Sequence, residues 1–156
     1  MHVHLLAIGA RMPDWVERGV AEYQKRLAGD IRLQIDEITM PRRRGNTRSL
    51  VDAEAEQLEK RLRQHPGALH VALEVKGKTL ETEKMAKRLG TLRDEGRDLV
   101  MLVGGPDGLQ PALSARCHEQ WSLSALTLPH PLVRVILAEQ VYRCWSLLQG
   151  HPYHRS

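Results

Sequence analysis

Apolar and polar positions along the chain follow two periods, one of two residues and one near 3.6. His2–Ile8 is a short apolar run ending at Gly9 and reads as a buried strand. Val16, Val20, Tyr23 and Leu27 then recur at spacings of four, three and four, which puts them on one face of a helix that Gly29 stops. Ile31, Leu33 and Ile35 alternate as in a half-buried strand. Residues 41–49, PRRRGNTRS, combine turn formers with charge and predict an exposed loop. A charged helix follows, with Val51, Ala55, Leu58 and Leu62 on one side and His65-Pro66-Gly67 as its end. Residues 69–75 read as the next strand, followed by Gly77. Thr82 is placed to cap a helix whose inner face carries Met85, Leu89 and Leu92, and Asp98 precedes the strand Leu99–Val103.

The order βαβαβαβ predicts an α/β fold, a mostly parallel sheet flanked by helices. The last third departs from that alternation. It reads as a glycine-rich loop, a short helix, a strand over residues 121–128, a long helix over 132–148 and a polar tail. No internal repeat, low-complexity stretch or linker divides the sequence, and 156 residues suit one domain spanning 1–156.

Composition narrows this picture without redirecting it. An apolar fraction of 42% can supply a core. The net charge of +4 is compatible with an RNA partner and does not demand one. Cys117 and Cys144 form neither a CxxC pair nor a disulfide framework and read as small core residues in a reducing compartment. The N-terminus lacks the basic region and long apolar run of a signal peptide, and no stretch approaches the length of a membrane span, so a soluble cytoplasmic protein is expected. His151 and His154 offer two ligands with no nearby carboxylate, so no metal site is expected.

The candidate chemistry begins at the end of Leu99–Val103, where the chain enters GGPDG, Gly104 to Gly108. Ligands in parallel α/β sheets sit beyond the carboxyl ends of strands, and glycine lets backbone approach them closely. PDG is equally good chemistry for a plain tight turn. The glycine spacing does not fit GxGxxG, and no GK[ST] follows, which disfavours a Rossmann dinucleotide site or an NTPase. The segment 121–128, WSLSALTL, alternates small polar and apolar groups before Pro129-His130-Pro131, an arrangement able to wall a small-molecule pocket or simply to end a strand and start a helix. In the long helix, Val133, Ile136, Leu137, Val141, Trp145 and Leu148 share helical spacing, while Val135, Ala138, Cys144 and Leu147 widen the apolar surface. A helix apolar on more than one side needs more than one burial surface, which supports a dimer contact, with burial wholly inside its own domain as the alternative. Glu139 and Arg143 are spaced for an i,i+4 ion pair.

The segments VGGPDGL, WSLSALTLPHPLVRVILAEQVYRCWSLLQGHPYHR and LLAIGARMPDWV...AEYQKRL together resemble the RlmH family of SPOUT methyltransferases across essentially the whole chain. The match is densest over residues 102–155 and weakest over 40–69. The resemblance implies methylation of N3 of a pseudouridine in a stem-loop of 23S rRNA with S-adenosyl-L-methionine as cofactor. It also implies a homodimer and a C-terminal trefoil knot, which fold base rates alone would reject. Carried over by motif, the cofactor site takes Leu73, Gly104, Gly105, Leu123, Ser124, Ala125, Leu126, Thr127 and Leu128.

Clustering of polar groups on both sides of that segment nominates His130, Arg134, Tyr153 and His154 around the target base. The imidazoles would accept the N3 proton, Arg134 would stabilise negative charge, and Tyr153 would stack or hydrogen-bond. Arg42, Arg43, Arg44 and Arg48, with Arg155 in the tail, are the candidate RNA contacts, although the sequence alone favours a solvated basic loop for the first four. Two competing readings stand beside this one: a non-enzymatic ribosome-binding protein of the same fold, and an α/β enzyme holding another nucleotide at Gly104 to Gly108.

Overall fold

A computed structural model describes residues 1–9, 11–27, 29–39 and 46–155, the last two by backbone alone. Among these residues, five strands form one parallel sheet: β1 (His2–Ile8), β2 (Arg32–Ile38), β3 (Leu69–Thr79), β4 (Leu99–Val103) and β5 (Glu119–Ser122), in the spatial order β2-β1-β4-β3-β5. The helices are α1 (Asp14–Arg26), α2 (Thr47–Leu62), α3 (Thr82–Asp94), α4 (Pro111–Arg116) and α5 (His130–Leu148), and a 3-10 turn over Pro152–Arg155 ends the chain.

The central strands are buried on both faces, so β4 has no exposed residue. Val3, Leu5 and Ala7 of β1 pack toward α1, α3 and α5, where Val16, Val20, Met85, Leu89, Leu92, Leu137, Ala138 and Val141 complete the larger core. Leu6 and Ile8 point to the opposite face, against Ala55 and Leu58 of α2 and Leu113 of α4. The two-residue alternation of β1 thus feeds two cores. α5 lies against both α1 and α3. Small residues admit it: a Cβ on Gly19 of α1 would sit 3.4 Å from Val135, and one on Gly90 of α3 would sit 2.9 Å from Leu148.

Several boundaries differ from those the pattern predicts. α2 begins at Thr47, inside the expected 41–49 loop, because the Asn46 side chain accepts from the Ser49 amide and caps it. Thr82 is not the cap of α3; Glu81 is, without a side-chain bond, and the Thr82 hydroxyl donates to Gln140 on α5 instead. β3 continues past residue 75 to Thr79. The strand expected over 121–128 stops at Ser122, where the Ser122 hydroxyl donates to the Ser124 carbonyl and turns the chain out of the ladder. α5 starts two residues before the expected 132, with Pro129 as N-cap. The second apolar side of α5 is covered in good part by α1 and α3 of the same chain.

Candidate cofactor and substrate site

β4 ends beside β3, and the chain turns sharply there. The Gly108 amide donates to the Gly105 carbonyl over 2.9 Å, and Gly108 adopts φ +81°, open to glycine. A Cβ on Gly104 would fall 2.5 Å from the Gly108 carbonyl carbon, and one on Gly105 would fall 2.6 Å from Glu54 Oε1. The turn reading and the binding reading of GGPDG therefore both hold. The glycines are required by the loop folding on itself and on the buried Glu54 carboxylate, and the loop so formed walls a cavity.

That cavity, of about 1150 Å³, opens over the carboxyl ends of β3, β4 and β5. Leu73, Gly104 and Gly105 line one side, and Leu123, Ser124, Leu126, Thr127 and Leu128 line another. Of the side chains expected around the cofactor, Ala125 is exposed and does not line the cavity. Ser124 shapes this wall from within: its hydroxyl accepts from the Leu126 amide at 3.0 Å. Among the described residues, the Ala125, Thr127 and Leu128 backbones have no partner in a helix, a strand ladder or a turn, so their polar groups can meet a ligand.

His130, in the first turn of α5, lines the same cavity, and its Nδ1 is buried without a hydrogen-bond partner among the described residues. Arg134, one turn further along, does not line it. Its guanidinium is 2% exposed, pairs with Glu37 at the end of β2 and donates to the Gly9 carbonyl beyond β1 at 2.8 Å. Tyr153 lies apart from His130. The tail folds back along α5 so that the Tyr153 hydroxyl donates to Glu139 at 3.3 Å and its ring meets Tyr142 edge-on with centroids 4.6 Å apart. Glu139 is roughly 13 Å along the helix axis from His130 at 1.5 Å per residue. Burial, and then hydrogen bonds to Tyr23 and Glu139, push the Tyr153 phenol above its ordinary range, so it remains a protonated donor. The expected Glu139–Arg143 pair forms, with Arg143 Nε 2.8 Å from Glu139 Oε1.

The side chains of His154 and Arg155 lie outside the described residues, as do Arg42, Arg43 and Arg44. Arg48 is described and exposed on the first turn of α2. Burial raises Cys117 to about 11 and Cys144 to about 12, so neither supplies a thiolate near neutral pH. Among the described residues no group of three or more His, Cys, Asp or Glu side chains is placed to hold a metal. No helix among them is long and apolar enough to cross a membrane.

The sequence reading missed two parts of the wall. One is the far end of β3, where Glu74, Val75 and Lys76 line the cavity. The other is the α4 side, with Ser114 and Gln120. Gly77 is the sequence signal for the first; α4 carries none.

A family model described as "Predicted SPOUT methyltransferase" matches residues 1–154. A protein of Alcanivorax borkumensis named ribosomal RNA large subunit methyltransferase H is 61% identical over 160 residues, covering 99% of this chain and 100% of its own. One of the same name from Hahella chejuensis is 52% identical over 157 residues, covering 99% of each. Among solved structures, a probable methylase family protein from Haemophilus influenzae Rd KW20 superimposes with TM-score 0.62 at 10% identity, over 97% of this chain and 69% of that one. A probable methyltransferase from Bordetella pertussis Tohama I does so with TM-score 0.54 at 16% identity, over 91% and 95%. At those identities the structures speak to the fold alone.

Proposed function

The chain belongs to the SPOUT methyltransferase family, and from that premise we propose that it moves the methyl group of S-adenosylmethionine to N3 of a pseudouridine in 23S rRNA, on the assembled ribosome in the cytoplasm. The observation that carries this reading is the cavity at the carboxyl ends of β3, β4 and β5, with an unpartnered His130 nitrogen at its wall. The names of the relatives at 61% and 52% identity supply the substrate class. Small-molecule sites occupy roughly 300–1,000 Å³, so a cavity of about 1150 Å³ has room for a cofactor and an extruded base together.

The wall fits such a cofactor. Leu73, Val103, Leu123, Leu126 and Leu128 offer apolar surface for a purine, and the free backbone groups of residues 125, 127 and 128 can read its polar edge. Gly104 and Gly105 keep the facing loop flat. When bound, the cofactor supplies a methyl group on a sulfonium, which needs positioning more than activation. The imide N3 carries a proton at neutral pH, and the His130 imidazole at the cavity wall can take it. Arg134 acts one turn away as a positioning residue, holding the start of α5 to the ends of β1 and β2. Tyr153, His154 and Arg155 are proposed to serve the cavity of a second copy in a homodimer, which the distance of the tail from its own His130 favours. The trefoil knot would lie where residues 104–108 and 123–129 share the cavity, and the single domain would span 1–156. Arg42, Arg43, Arg44 and Arg48 would meet phosphates.

Mass spectrometry of rRNA from a strain lacking the gene tests the reading. One methyl group is expected to disappear from a single pseudouridine and to return with the wild-type gene but not with His130→Ala. Fully methylated rRNA in the deletion strain would overturn it.

A further inference from the structure

The end of β3 is built unlike the rest of the sheet. It pairs with β5 at Val71, Ala72 and Leu73 and again at Lys78 and Thr79, with a register shift between. Residues 74–77 therefore leave the ladder and bulge, a device that re-aims side chains next to functional sites. Gly77 anchors the bulge: a Cβ there would fall 2.6 Å from the Trp121 carbonyl carbon. Trp121 is itself 3% exposed and tied through its indole N–H to Glu119 at 2.7 Å. The bulge presents Glu74, half-buried, and Lys76, exposed, to the cavity.

These are the one carboxylate and the one ammonium among the residues that line it. They do not pair with each other within 4 Å, and among the described residues neither has an ion pair or hydrogen bond. With no donor from the described residues, the Glu74 carboxylate is free to accept from a ligand in the cavity. Two unpaired opposite charges in one cavity suit a ligand end that carries both charges.

Resting on the methyl-transfer reading above, we propose that Glu74 and Lys76 receive the zwitterionic amino-acid end of the cofactor. The Glu74 carboxylate accepts from the α-ammonium, and the Lys76 ammonium donates to the α-carboxylate. The apolar wall then takes the adenosine, and the charged bulge decides which sulfur-bearing adenosines are retained.

Calorimetric titration with two ligands tests this directly. S-adenosylhomocysteine carries the amino-acid end, and 5′-methylthioadenosine has the same adenosine thioether without it. The wild-type protein is expected to prefer the first. Glu74→Gln and Lys76→Met should each weaken S-adenosylhomocysteine by roughly tenfold and leave methylthioadenosine binding unchanged, which also shows that the variants fold. A preference that survives both substitutions, or an equal loss for both ligands, overturns the inference while the methyltransferase reading stands. Failure of both ligands to bind the wild-type protein overturns that reading and this inference with it.

Discussion

Arg134 shows how burial redirects a side chain that spacing alone nominates for chemistry. Its place one turn from His130 is legible in the sequence, but not that its guanidinium is spent on Glu37 and the Gly9 carbonyl. Removing one partner of a buried pair usually costs 3–5 kcal/mol, and less where the survivor can rehydrate; Glu37, with its side chain 37% exposed, can. Arg134→Ala is therefore expected to lower the unfolding free energy by about 2–3 kcal/mol in urea titration. A variant of full stability with slow single-turnover methyl transfer would instead place the guanidinium in the reaction. Gly104 carries the opposite lesson. Its presence in the loop was evident, but its reason was the Gly108 backbone 2.5 Å from where a Cβ would stand. Backbone yields less readily than a side-chain tip, so Gly104→Ala should displace the loop. Overpacking of this kind costs roughly 1–3 kcal/mol, and cofactor affinity measured by calorimetry should drop at least about tenfold.

At the scale of elements, periodicity located β1 to β4 and the helices α1, α2, α3 and α5, because burial on one or two faces leaves a local imprint. It failed at the ends of β3 and β5. WSLSALTL alternates as a strand does, yet whether it pairs depends on the reach of β3, and Ser122 and Ser124 turn it aside after one ladder residue beyond Trp121. A segment expected as strand is thus irregular beyond Ser122, where it lines the cavity. A second element-level feature joins the start of β1 to the end of α2. The His4 ring lies 4.3 Å from that of His65, and His4 Nδ1 is 3.2 Å from Asp36. Burial first, and then the neighbouring His4, hold His65 below its ordinary value near 6.5, although Asp36 and Asp98 oppose this. The unfolded chain then binds the His65 proton more readily than the folded one. The stability contributed is complete above the unfolded value and falls as pH drops through it. The urea midpoint should accordingly decrease between about pH 7.5 and about pH 5.5, and His65→Asn should shrink that decrease. An equal decrease in the variant would exclude His65 as its source.

For the whole molecule, the order β2-β1-β4-β3-β5 brings Leu73, Gly104 and residues 123–128 to one edge although they are scattered along the chain. It also sandwiches α5 between α1 and α3, which uses much of the apolar surface that suggested a partner. The homodimer therefore rests on what α5 leaves over, including the partly buried Trp145 ring. Light scattering should find twice the 17.7 kDa of the chain, and Trp145→Arg should return it to one copy. A wild-type protein that scatters as a single copy at micromolar concentration would remove the basis for assigning Tyr153 to a second copy's cavity. Local chemistry written in the sequence was sufficient for the α/β class, the faces of the helices, the glycine loop and the family, because each depends on residues near one another in the chain. Only the tertiary structure decided that Arg134 is a buried strut, that Tyr153 sits away from His130, and that Glu74 and Lys76 face the cavity. Those outcomes depend on which strand lies beside which, a long-range packing property that no window of sequence contains.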